Sequence, residues 1–237
     1  MTIAESPVFA HAHEAHAHEA EVEVESSEQG VPIVEVLRRY PKQVLLAIGA
    51  RVGVDVAFYT FVLFVTTYIA TYLKLPQQYA LNAVLIGSAF QVALIPLFGS
   101  LSDRYGRRPV YAIGAASAAV WGFVFFPLLS TRSTVLIVLA TVVALITHAM
   151  MYGPQAAFIA EMFSTELRYS GASMGYQFAG ILGGAIAPIV AIALAGAFGS
   201  AYAVSVYLAA MMVLTLIALK LAPETAWTDL HGEPVHK

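Results

Sequence analysis

The stretch GSLSDRYGRRP, residues 99–109, lies between two long apolar runs, and the reading of the fold starts from it. Its composition describes a tight turn. Gly99 lets two backbones approach closely, Gly106 supplies the freedom a sharp reversal needs, and Pro109 fits the first turn of a following helix. Asp103, Arg104, Arg107 and Arg108 place four charges in this short segment, able to pair across one end of a helix bundle. A basic turn between two apolar runs is in itself the ordinary boundary of a membrane hairpin.

The flanking runs belong to a set of six, at residues 44–72, 79–101, 110–129, 134–158, 171–194 and 202–221. Each is long enough to cross the hydrocarbon core, which takes roughly 20 helical residues. Short alternating segments, the mark of barrel strands, are absent, so the expected fold is an all-α membrane protein of six transmembrane helices. Composition agrees: 59% of the 237 residues are hydrophobic and only 11% are charged, against about 25% charged in soluble domains. Mean hydropathy is +0.75. With no cysteine, thiol catalysis, disulfides and thiolate metal sites are excluded.

Lys and Arg placement sets the expected orientation. Arg38, Arg39, Lys42, Arg104, Arg107, Arg108, Arg168, Lys220 and Lys237 fall on one side, Lys74 and Arg132 on the other. The excess predicts that both termini are cytoplasmic. Residues 31–42 read as a short interfacial helix ending at Pro41, 43–222 as the bundle and 223–237 as a cytoplasmic tail. Residues 1–30 carry seven acids and no Lys or Arg, and include His11, His13, His16 and His18. Such a tract reads as a solvated, disordered linker, with metal binding as the alternative. It lacks the basic start and apolar centre of a signal peptide.

The 99–109 segment resembles the G-x-L-x-D-R-x-G-R-R loop of the major facilitator superfamily, found between the second and third helices and again between the eighth and ninth. Two further stretches resemble the second half of such carriers. YGPQAAFIAEMFSTELRYSGASMGYQ, residues 152–177, is similar to the tenth-to-eleventh helix region of the metabolite:proton symporter group, which carries dicarboxylates, citrate, shikimate, and proline or betaine. Ala222-Pro223-Glu224-Thr225 resembles the P-E-T after the twelfth helix, and residues 4–9, AESPVF, the P-E-S-P after the sixth. The resemblance implies one C-terminal, six-helix half of a two-half fold, with the His-rich tail in the central loop and substrate bound between halves at mid-membrane.

Arg51 and Asp55 lie four residues apart inside the first span, hence on one helix face. Charges there cost roughly 2.5–3.5 kcal/mol each to insert, so they face a partner or a cavity. One reading is a self-neutralising pair; the other is substrate binding or gating by Arg51 and proton exchange by Asp55. Tyr59, Gln91, His148, Tyr152, Gln155 and Gln177 are the further substrate or proton pathway candidates, with Asn82 and Tyr176 as additional polar positions. Each of these also suits an interhelical hydrogen bond. Gly153-Pro154 is expected to break the fourth helix. Asp103, Arg104, Arg107, Arg108, Glu161 and Arg168 should gather at the cytoplasmic helix ends. The resemblance implies that these charges form a network holding the inside closed; topology alone is the other reading.

In span five, Gly171, Gly175, Ala179, Gly183 and Ala187 form a small-residue stripe suited to tight packing. Gly171-Ala172-Ser173-Met174-Gly175 matches G-x-S-x-G, but a nucleophile elbow needs a strand–turn–helix context. No phosphate-binding loop is present. The resemblance therefore implies half of a secondary active transporter: a proton symporter for small organic acids or zwitterionic osmolytes, working by alternating access in the plasma membrane. The expected partners are the bilayer, protons, a small organic solute and an N-terminal six-helix half. No enzyme activity, cofactor, metal or nucleic acid is expected. The alternatives are an inactive truncated fragment, a half needing a separate partner chain, and a six-helix intramembrane enzyme or channel.

Overall fold

A computed structural model describes residues 32–226, and the described part contains helices and no strands. The His/Glu tract and the stretch at residues 4–9 lie outside the described residues, as does Lys237. A short helix, α1 (Pro32–Arg39), leads into six long ones: α2 (Pro41–Tyr72), α3 (Gln78–Tyr105), α4 (Arg107–Ser130), α5 (Thr134–Glu161), α6 (Arg168–Phe198) and α7 (Tyr202–Leu221). These are the six apolar runs of the sequence, most of them lengthened by up to four residues at polar ends. The extension has a physical reason. Apolarity marks where a helix crosses hydrocarbon, whereas hydrogen bonding carries it on into polar surroundings. α3 accordingly continues through Asp103 and Arg104 to Tyr105 before Gly106 stops it.

α3 packs along α5, α5 along α4, α4 on α7, α7 on α2, and α2 on α6, with α2 also touching α5. Interhelical hydrogen bonds mark the seams. Thr215 of α7 donates to the carbonyls of Gly49 and Ala50 at 3.0 and 3.2 Å, and Ser205 donates to Gly122 at 2.7 Å. Large apolar side chains face outward, among them Leu85, Val92 and Val135, each at least 70% exposed. Water would not tolerate that surface; lipid or a second helical body would.

One expectation about helix shape changes. Gly153-Pro154 does not break its helix: α5 runs without interruption from Thr134 to Glu161 with Pro154 inside it. Neighbouring helices tolerate such a proline in a membrane bundle. Gly153 serves packing instead, since a Cβ there would come within 2.7 Å of the Ile95 carbonyl oxygen and 2.8 Å of the Gly99 nitrogen on α3. The departures from α-helix lie elsewhere. α2 widens into π-helix at Tyr59–Phe64 and Tyr68–Tyr72, and α6 does so at Gly180–Ala185. Such bulges occur preferentially at functional sites.

Candidate functional site

Two polar clusters emerge, one inside the bundle and one at the end formed by the 99–109 turn. The inner cluster is built on α2. Arg51 lies about 15 Å along the helix from Pro41, at 1.5 Å per residue, well inside the span. Its Nε is 3.2 Å from Asp55 Oδ2, and both side chains are largely buried. Nη1 of Arg51 donates to Gln155 Oε1 of α5 at 3.4 Å, and the guanidinium lies 4.0 Å from the centroid of the Tyr176 ring of α6. The hydrogen bond to Gln155 and the cation–π contact thus tie α5 and α6 to α2 around one cation.

The small-residue stripe allows that approach. All five of its members are buried. A Cβ on Gly183 would come within 2.7 Å of the Val52 carbonyl oxygen and 2.8 Å of Asp55 Cβ. Tyr59 begins the first π-helical stretch and packs beside Gly184 in the π-helical stretch of α6. Within the cluster, Asp55 Oδ2, Arg51 Nε and Gln155 Nε2 are buried atoms with no hydrogen-bond partner among the described residues, and Thr60 Oγ1, five residues beyond Asp55 on α2, is another. The Arg51–Asp55 contact is therefore an ion pair without hydrogen-bond alignment. Unsatisfied buried polar atoms are uncommon in native proteins and mark places where a ligand, ion or water completes the set.

A second pair adjoins it. Gln91 Nε2 of α3 donates to the Leu145 carbonyl at 3.0 Å and lies 2.9 Å from His148 Nδ1. The carbonyl fixes the amide orientation, because only the NH₂ end can face it. The other amide hydrogen then points at Nδ1, so Nδ1 accepts and the neutral ring carries its hydrogen on Nε2. His148 stacks on Tyr152, with ring centroids 5.5 Å apart, and touches Phe58 at 5.4 Å. Tyr152 and Phe58 are partly exposed, so this pair borders an open face of the bundle. Gln177 is exposed and joins neither group, and exposed Asn82 accepts from Gln78 at 2.6 Å near the far helix ends.

The outer cluster centres on Arg107. Its guanidinium grips both carboxylate oxygens of Glu161 at 2.9 and 3.1 Å, reaches Ser102 Oγ at 3.0 Å and pairs with Asp103. A bidentate arginine–carboxylate contact is the strong form of such pairing. Gly106 turns the chain at φ 106°, a conformation that favours glycine. Glu224, beyond α7, then caps the exposed start of α4, accepting from the backbone N–H groups of Arg107 and Arg108 at 2.8 and 3.1 Å. Arg108 turns away from the network, donating to the Leu219 and Lys220 carbonyls at 2.7 and 3.2 Å. Arg104 lies over Tyr105, and Arg168 Nε is buried without a partner among the described residues; neither enters the network.

Glu224 and Ser102 are the members that reading the sequence for charge and polarity does not single out as site residues. The P-E-T resemblance marks Glu224 as a position of interest, but its partners lie 116 and 117 residues away. The G-x-S-x-G match sits within the continuous helix α6, without a strand–turn–helix elbow.

Six apolar helices with outward apolar faces and buried internal charges define a multi-pass membrane protein. The model described as Major Facilitator Superfamily matches residues 44–236, and the chain belongs to that superfamily. It is similar to the "Shikimate transporter" of Escherichia coli (strain K12), 32% identical over 202 residues covering 84% of this chain and 46% of that protein. It is 34% identical over 219 residues to the "Inner membrane metabolite transport protein YhjE" of the same organism, covering 84% of this chain and 50% of the relative. Similarity to the "Glycine betaine/proline/ectoine/pipecolic acid transporter OusA" of Dickeya dadantii (strain 3937) is 28% over 207 residues, covering 86% and 40%. The chain spans about half the length of the curated relatives it matches.

Proposed function

We propose that this chain forms one six-helix half of a secondary active transporter, a proton symporter for a small organic acid or zwitterionic osmolyte. The carrying observation is the Arg51–Asp55 pair, buried between α2, α5 and α6 with unpartnered polar atoms around it. An ion pair held only for stability is better served by hydrogen bonds that satisfy the remaining donors and acceptors. A pair left partly unsatisfied inside a membrane suits a transient ligand. Arg51 offers a cation to a carboxylate, Gln155 offers a free amide hydrogen, and Asp55 offers a carboxylate that exchanges a proton as Arg51 turns to substrate. Gln91, His148 and Tyr152 extend this polar face. The relatives named for shikimate and for betaine, proline, ectoine and pipecolic acid all take solutes bearing a carboxylate.

In this reading both termini are cytoplasmic. The Arg107–Glu161–Asp103 network, with Glu224 behind it, holds the cytoplasmic end closed and opens during alternating access. The pathway is completed by a second six-helix body, a reading favoured by the half-length match to the relatives. The test is uptake of labelled shikimate, betaine and proline into vesicles under an imposed pH gradient, by this chain alone and assembled with an N-terminal half from a related carrier. In the assembled carrier, Asp55→Asn should abolish accumulation driven by the pH gradient, and Arg51→Gln should raise the substrate KM at least tenfold. Gradient-driven accumulation unaffected by Asp55→Asn would remove Asp55 from the proton pathway.

A further inference from the structure

The end of the bundle that carries the Arg107 network also holds a groove of about 300 Å³ between α4 and α7, at the small end of the range of ligand sites. Its lining is graded by depth. Arg108 and Lys220 stand at the rim, while Ala112 and Leu216 lie one helical turn deeper, because α4 enters the bundle here and α7 leaves it. Leu219 lines the wall. Glu224 also borders the groove, but its carboxylate is turned to the backbone N–H groups of Arg107, Arg108, Thr225 and Ala226. Two cations against one carboxylate leave the rim with a net charge of +1. Lys220 is exposed and makes no ion pair among the described residues. Ile113 and Ile217, next in sequence to the lining residues Ala112 and Leu216, are 55% and 51% exposed and belong to the outward apolar surface of the same two helices.

A cationic rim over an apolar floor, on two helices that also carry an outward apolar surface, matches a molecule that is anionic at one end and apolar at the other. We propose that this groove is a binding site for the phosphate headgroup of an anionic glycerophospholipid. Arg108 and Lys220 hold the phosphodiester, and the glycerol and first acyl carbons lie over Ala112 and Leu216. Basic pockets between transmembrane helices recognise such headgroups in general. A free phosphate shares the anionic chemistry but has no use for the apolar floor. The site is independent of the Arg51 cluster and stands whether or not the transport reading holds.

Native mass spectrometry of the purified 237-residue chain in non-ionic detergent tests this, titrating phosphatidylglycerol against phosphatidylcholine. Phosphatidylglycerol should bind at least fivefold more tightly. Lys220→Gln should weaken it about fivefold, the effect of one basic residue near a membrane surface. Lys42→Gln, an exposed lysine on the same face but outside the groove, should leave it unchanged. Ala112→Trp, which fills the floor, should also weaken lipid binding, and millimolar inorganic phosphate should not displace the lipid. Equal affinity for the two lipids overturns the proposal. So does an equal loss in Lys42→Gln, which would mean diffuse surface attraction. Full displacement by inorganic phosphate with Ala112→Trp silent would mean a free-anion site instead.

Discussion

His148 takes its chemistry from Gln91. The amide nitrogen that bonds the Leu145 carbonyl also faces Nδ1, so the neutral ring keeps its hydrogen on Nε2 and presents it as a donor. Nitrogen-15 spectra of histidine-labelled protein, compared with His148→Gln to assign the signal among seven histidines, should show an unprotonated Nδ1 and a protonated Nε2. Gln91→Leu frees Nδ1, and the tautomer preference should then weaken toward a mixture. A protonated Nδ1 in the unmodified chain would refute the assignment. Sequence shows part of this scale and conceals the rest. Arg51 and Asp55 disclose their pairing because four residues separate them on one helix. Gln155 is 104 residues from Arg51, and nothing in a single sequence says which polar residue on another helix faces that cation. Glu224 is hidden for the same reason, compounded by its partners being backbone N–H groups, which every residue but proline carries.

Between helices, the contact of α6 with α2 rests on the absence of side chains. At Gly183 an added methyl group meets a backbone carbonyl and Asp55 Cβ, neither of which moves without shifting a helix, whereas at Gly180 it meets nothing within 4 Å. Gly183→Ala should therefore lower stability by about 1–3 kcal/mol through overpacking. Gly180→Ala should be neutral or stabilise by roughly 0.5–1 kcal/mol through helix propensity. Thermal unfolding of both variants in one detergent reads the contrast, and equal destabilisation would show that the stripe is not what brings the helices together. Here the sequence is informative, because small residues recurring every fourth position lie on one helical face. The π-helical stretches leave no comparable trace, since widening a turn depends on how α2 and α6 crowd each other near Tyr59 and Gly184. Pro154 misleads for a related reason: a proline disrupts an isolated helix, but α5 is enclosed by α3 and α4.

Across the whole chain, six apolar runs and one charged turn suffice to read the number of helices, because lipid admits only helices or closed barrels and the alternating segments of a barrel are absent. The order in which the helices pack is not encoded in apolarity, which is similar on all six. Orientation is open to a direct measurement, helped by the absence of native cysteine. A single cysteine at Tyr105, beside the 99–109 turn, should react with impermeant maleimide only in inside-out vesicles, and one at Gln77 only in right-side-out vesicles. The reverse pattern would place the charged turn outside.

The seam between α7 and α2, where Thr215 bonds the Gly49 and Ala50 carbonyls, brings the last long helix beside the first. Chain order is therefore separable from architecture. A circular permutant opened in the segment between α5 and α6, with the end of α7 linked to the start of α2, would keep all these helix contacts and leave its new ends on the membrane face that carries the 99–109 turn. Whether such a re-threaded chain still inserts would distinguish a bundle that assembles after its helices are in the bilayer from one that depends on the order of their synthesis.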